Sequence, residues 1–86
     1  METDKAKKIL EKVRFIAKYN REMKPFMDYA PEIIFKEKDD NIVFSHIIFS
    51  KEDTLMICAT GIIIYPQKGM SKTLFAYNNF DDLLKM

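Results

Sequence analysis

The sequence predicts an α+β fold: an N-terminal amphipathic helix packed on a four-stranded antiparallel meander sheet, closed by a short C-terminal helix. Three observations carry this. Residues 5–23 space their apolar side chains at helical intervals. From residue 32 the pattern changes to runs rich in β-branched and aromatic residues, separated by clusters of Asp, Asn, Ser and Gly. And 86 residues amount to one domain, 1–86, with room for one core.

The helix comes first. In "KAKKILEKVRFIAKYNREM", a rotation of about 100° per residue gathers Ala6, Ile9, Leu10, Val13, Ile16, Ala17 and Asn20 into one stripe. Thr3 or Asp4 is placed to cap it, and Pro25 ends it near Lys24, because the residue before a proline avoids the helical region. Opposite the stripe lie Lys7, Glu11, Arg14, Lys18, Arg21 and Glu22, with Lys7/Glu11 and Lys18/Glu22 spaced as surface neighbours. A shoulder between the faces carries Lys8, Lys12, Phe15 and Tyr19.

"PFMDYAP" reads as a short apolar connector with room for one helical turn. "EIIFKEKDDNIVFSHIIF" is a hairpin turning at Asp39-Asp40-Asn41, and "SKED" is the next turn. "TLMICATGIIIY" follows as one long strand in which Gly61 marks a bulge or bend. "PQKGMS" then leads into a fourth strand, "KTLFAY". In "NNFDDLLKM", Asn78 or Asn79 caps a short helix, Asp81 and Asp82 sit in its first turn, and Leu83-Leu84 is the pair to bury. Ser50 with Asp53 also resembles a helix cap, and Gly61 could end a helix over residues 51–60. The strand is preferred there, because Thr54, Ile57 and Thr60 are β-branched and the segment lacks a polar face.

His46 and Cys58 are the only histidine and the only cysteine. With an even turn from Ser50 to Asp53, Phe49 opposes Thr54 and Ser45 opposes Cys58, so that His46 and Cys58 project from opposite faces. That register forbids a nucleophilic Cys-His dyad; an odd turn would bring the two to one face, but even then no third, orienting residue is evident. A structural His46 and a buried, apolar Cys58 are the expectation. No metal site is expected, since one His and one Cys do not supply the ligand pairs of a structural zinc. With only Gly61 and Gly69, the chain has no glycine-rich phosphate loop, and no cofactor is expected. The acidic pairs Asp39-Asp40, Glu52-Asp53 and Asp81-Asp82 sit where turns and a helix start account for them. No catalytic residue is assigned.

The net charge of +1 conceals an asymmetry. Residues 1–24 hold eight Lys/Arg against four Asp/Glu, a net of +4; residues 25–86 hold six against nine, a net of −3. The expected partner surface is therefore the helix: its basic face at Lys7, Arg14, Lys18 and Arg21, and its shoulder at Lys8, Lys12, Phe15 and Tyr19. Aromatic rings among cations also suit a nucleic-acid strand. Glu11 and Glu22 weaken the local field, however, and a pI near 7.8 is far from that of a basic nucleic-acid-binding domain.

No stretch is apolar for the roughly 20 residues that a membrane-spanning helix needs. The first 24 residues hold no apolar run longer than Phe15-Ile16-Ala17, so no secretory signal and no membrane attachment are expected. A single cysteine implies either a reducing compartment or indifference to redox state, and the cytoplasm is the expected location. The ending "GIIIYPQKGMSKTLFAYNNFDDLLKM" resembles the close of small PH-like modules in architecture, over less than a third of the chain, and carries no binding residues across.

The expected function is that of a small non-catalytic binding module of adaptor, regulator or inhibitor type, acting through contact with another protein or a second copy of itself. Nucleic acid is the alternative partner, and a small enzyme ranks third. One further observation concerns the sheet. The strands look apolar on both alternating sets, with Ile42, Phe44 and Ile48 on one face and Val43, Ile47 and Phe49 on the other. Two helices can cover one face of such a sheet, so self-association or a protein partner is expected on the second.

Overall fold

The computed structural model describes residues 1–86. The fold is α+β: helix α1 (Glu2–Ala17), a 3₁₀ turn (Lys24–Asp28), and strands β1 (Glu32–Lys38), β2 (Asn41–Lys51), β3 (Thr54–Cys58), β4 (Gly61–Tyr65) and β5 (Lys72–Ala76). Helix α2 (Phe80–Leu84) closes the chain. The strands form one antiparallel meander in the order β1-β2-β3-β4-β5.

The sheet thus has five strands rather than four, because "TLMICATGIIIY" is a hairpin and not one strand. Ala59 and Thr60 turn the chain, with the Ala59 amide donating to the Gly61 carbonyl and the Tyr77 amide donating to that of Thr60. Gly61 is the first residue of β4, not a bulge. A Cβ there would lie 2.8 Å from the Phe75 carbonyl oxygen, which explains the glycine by close approach of a neighbouring strand. Residues 51–60 form no helix.

Local chemistry accounts for the other turns. Asp39 and Asp40 both adopt positive φ, 51° and 63°, as a two-residue hairpin of the primed type requires, and Asn41 Nδ2 donates to the Asp39 carbonyl. Glu52-Asp53 makes the β2–β3 turn with Glu52 at φ 55°. Asn79 caps α2 by accepting the Asp82 amide at 3.0 Å.

Helix α1 begins and ends earlier than the sequence pattern implies. Neither Thr3 nor Asp4 caps it; Met1 is the N-cap residue and its carbonyl accepts the Lys5 amide. At the other end the Tyr19 and Asn20 amides reach back to Ile16 and Ala17 in tightened turns. The Asn20 side chain then accepts the Glu22 and Met23 amides, starting a new turn that buries Met23. Asn20 is therefore a cap and not a member of the stripe. Glu22 leaves Lys18 and pairs with Lys72 at 2.7 Å.

One core joins these elements. Ala6, Ile9, Val13, Ile16 and Ala17 of α1 pack with Phe26, Leu83 and one face of the sheet: Phe44, Ile47, Phe49, Met56, Cys58, Ile62 and Ile64. All 15 buried residues are apolar. No charged or polar side chain is among them.

Candidate docking surfaces

Two surfaces remain open. The first is the solvent side of α1. Lys7, Lys8, Arg14, Phe15, Lys18, Tyr19 and Arg21 are exposed there, and Lys12 is half-buried. Phe15 and Tyr19, one turn apart, make an edge-to-face pair with centroids 5.6 Å apart, although they are 51% and 80% exposed. The Lys12 ammonium sits 5.4 Å from the Phe15 ring centroid and donates to the Met86 carbonyl.

Clefts flank this aromatic pair. Arg14 and Lys18 stand on one rim of a cleft of about 730 Å³, with Lys24 and Asp28 of the 3₁₀ turn also lining it and Ala17, Pro25 and Met27 providing its apolar lining. Lys8, Glu11, Lys12, Phe15 and Leu84 line a second cleft of about 510 Å³. The fold thus divides the basic face. Arg14 and Lys18 gain Lys24 as a neighbour, while Lys7 and Arg21 line neither cleft. The contribution of Lys24 depends on the early end of α1, which folds the 3₁₀ turn back beside the helix. Helical periodicity carries no signal for it.

The second surface is the sheet face turned away from the helices. An irregularity in the β1–β2 ladder places Ser45 as an extra residue on β2, between the pairs Ile34↔His46 and Phe35↔Phe44. It reverses the alternation. Phe44, Ile47 and Phe49 therefore share the helix side, and Val43, His46 and Ile48 share the open side, in place of the division expected from strict alternation.

On the open side the register Ile48↔Ile57↔Ile63 lays three isoleucines in a row across β2, β3 and β4, ending in Glu32 on β1 and Thr73 on β5. Leu55 and Tyr65 form part of the next row, and Ile34 and Val43 lie on the other side of it. Ile34, Val43, Ile48, Ile57, Ile63 and Tyr65 are half-buried, and Leu55 is 37% exposed. The major helix contacts with the sheet are made by α1 and the 3₁₀ turn on β2, toward the shared core.

His46 lies within this open face. Its Nδ1 is 2.8 Å from Ser45 Oγ. Cys58 points the other way, into the core, and burial pushes its thiol up to about 12, where it carries no nucleophilic thiolate at neutral pH. The β2–β3 pairs run Ile47↔Cys58 to Lys51↔Thr54, two residues removed from the expected register but of the same parity. His46 and Cys58 accordingly occupy opposite faces. No group of three His, Cys, Asp or Glu side chains stands together where a metal ion could be held. No helix is long and apolar enough to cross a membrane. Comparison with protein-family models, with curated proteins and with solved structures finds no match for the chain.

Proposed function

We propose that the chain is a small non-catalytic binding module that works by protein-protein contact, as an adaptor, regulator or inhibitor, with the open face of the sheet as its main docking surface. The observation that carries this reading is the row Ile48, Ile57 and Ile63, apolar on a face that no helix of the chain covers. A sheet with one face in water alternates apolar and polar residues; here both faces are apolar. The partner's matching surface is apolar at its centre, where Ile48, Ile57 and Ile63 stand together, with His46 beside the row and Glu32 and Lys36 along its β1 margin. The unpaired Cys58 thiol fits work in a reducing compartment such as the cytoplasm.

The test is capture of a protein partner by wild type and by Ile57→Lys, with Arg14→Glu/Lys18→Glu as a comparison. Lysine in the middle of the row places a charge against the partner, while its stem still covers the sheet. Capture should be lost in Ile57→Lys and kept in the helix variant, with both still unfolding cooperatively and Ile57→Lys melting below wild type because it gives up packing against Ile48 and Ile63. Equal capture by wild type and Ile57→Lys sinks the reading.

A second reading has its own observation. The exposed Phe15–Tyr19 pair stands among Lys8, Lys12, Arg14 and Lys18, an arrangement suited to stacking bases and pairing phosphates.

A further inference from the structure

We propose that β1 is a self-pairing edge: two copies of this chain associate antiparallel through Glu32–Lys38, with the two-fold axis at Ile34, joining their five-stranded sheets into one. This inference concerns the edge of the sheet and stands whether or not anything docks on its open face.

Strand β1 ends the sheet, pairs only with β2 and makes its principal contacts there. The outward amides and carbonyls of a seven-residue strand are thus available to another chain. The extra residue in the β1–β2 ladder, Ser45, belongs to β2, so β1 itself alternates without interruption. The opposite edge differs. Strand β5 has five residues, and Leu74 is an extra residue between the pairs Ile62↔Phe75 and Ile63↔Thr73. Such a bulge blunts an edge against pairing.

Backbone geometry restricts how β1 can meet itself. Alternate residues point their amide and carbonyl outward, so a two-fold antiparallel pairing joins only residues of like parity, and the axis must pass through a residue. Centred on Phe35, Glu32 meets Lys38, but Ile33 faces Glu37 and Ile34 faces Lys36. With the axis at Lys36, that lysine opposes its own copy; at Ile33, Glu32 opposes Ile34. Centring on Ile34 places Glu32 opposite Lys36 on both sides of the axis, Ile34 opposite Ile34, and Ile33 opposite Phe35.

The faces agree as well. Glu32, Ile34 and Lys36 oppose Ile48, His46 and Val43 of β2 and so share the open side of the sheet; Ile33 and Phe35 oppose Ile47 and Phe44 on the helix side. In this register opposite charges meet on one face and apolar side chains meet on both. Phe35, 37% exposed in the single chain, gains the second copy's Ile33 as a neighbour. Lysines on an edge strand ordinarily discourage pairing, and Lys36 does so here toward any strand that lacks a matching carboxylate. The sequence of β1 supplies that carboxylate itself.

The experiment is molar mass by light scattering and sedimentation over a micromolar-to-millimolar dilution series. Wild type should move from monomer to dimer and no further. Lys36→Glu and Glu32→Lys each place like charges across both ends of the seam and should weaken association by about tenfold or more. The double variant Glu32→Lys/Lys36→Glu restores opposite charges and should restore the dimer. These side chains are exposed, so at concentrations where wild type is monomeric the melting temperature should stay near wild type in all three.

Register is read independently by Ile34→Cys under oxidation, which should give a covalent dimer because opposed residues lie within disulfide range. Phe35→Cys should cross-link poorly, and buried Cys58 does not compete. A monomer at every concentration, mass that grows beyond the dimer, a dimer indifferent to single charge reversals, or preferential cross-linking through Phe35→Cys overturns the proposal.

Discussion

The Phe44 amide donates to Glu2 Oε1 at 2.7 Å, linking the first residue of α1 to the irregular point of β2 across 42 positions of sequence. Strand β2 outruns β3, whose last pair is Ile47↔Cys58, and the extra residue at Ser45 disturbs the β1 ladder at the same place. The Glu2 carboxylate satisfies an amide there and seats the helix on the sheet. Its charge also lies favourably at the start of the helix.

Glu2→Ala should therefore destabilise the fold by about 1–2 kcal/mol, somewhat below the full value of a charge-assisted bond because the site is only partly buried. Glu2→Gln, which keeps an acceptor, should lose less. Urea unfolding separates the two; equal and negligible losses would show that the contact contributes nothing.

Gly61→Ala tests the close approach of β4 and β5. A methyl group placed 2.8 Å from the Phe75 carbonyl oxygen must push backbone away, and backbone in a paired strand yields poorly. A loss of about 1–3 kcal/mol is expected, the range of overpacking in a well-packed core. Amide exchange should quicken at Ala76 and Tyr77, beside the displaced pair. An unchanged midpoint with an unchanged exchange pattern contradicts this account.

The elements that were legible in the sequence are the ones decided locally. The α1 stripe from Ala6 to Ala17, the Asp39-Asp40 turn and the Asn79 cap each rest on side chains a few residues apart. The same holds for the outward helix face carrying Arg14, Phe15, Lys18 and Tyr19. What escaped was decided at a distance. Ala59-Thr60 contains none of the residues that usually mark a turn, and part of its closure comes from the Tyr77 amide. The Ser45 irregularity brings Phe44 and Ile47 onto one core face, which no count of alternation foresees. The cleft that recruits Lys24 depends on Asn20 ending the helix's pattern and starting a new turn.

Alkaline stability should be governed by Cys58. Burial raises its pKa from 9.0 to about 12, so the unfolded chain releases this proton at lower pH than the folded one. Stability from this group is complete below pH 9.0 and is lost as pH rises toward 12, by up to about 1.4 kcal/mol per unit. Tyr77, raised to about 12 by burial and then by Cys58, loses stability in the same direction above its ordinary value of 10.0. Urea midpoints measured from about pH 8 to 11 should fall for wild type and stay flatter for Cys58→Ala at the start of this range. Parallel slopes would remove Cys58 as the cause.

Charge reversal on α1 separates the two functional readings. Arg14→Glu/Lys18→Glu/Lys24→Glu changes each of three cations into an anion and takes the formal net charge from +1 to −5, a difference of three times two. All three side chains are exposed and none takes part in a salt bridge, but Arg14 and Lys18 stand at the C-terminal end of α1, so unfolding should shift by no more than about 1–2 kcal/mol and the fold should persist. Binding to single-stranded nucleic acid would rest on these cations and the Phe15–Tyr19 pair. It should fall steeply with added salt in wild type, because each phosphate paired to a cation releases counterions, and it should vanish in the triple variant. Contact through the sheet behaves in the opposite way. The row Ile48, Ile57 and Ile63 carries no charge, so capture of a protein partner should depend weakly on salt, survive the triple reversal and fail only in Ile57→Lys. Side-by-side titrations at low and high salt therefore give two different patterns from the same variants. A steep salt slope abolished by the helix substitutions assigns the function to α1; a shallow one abolished by Ile57→Lys assigns it to the open face of the sheet.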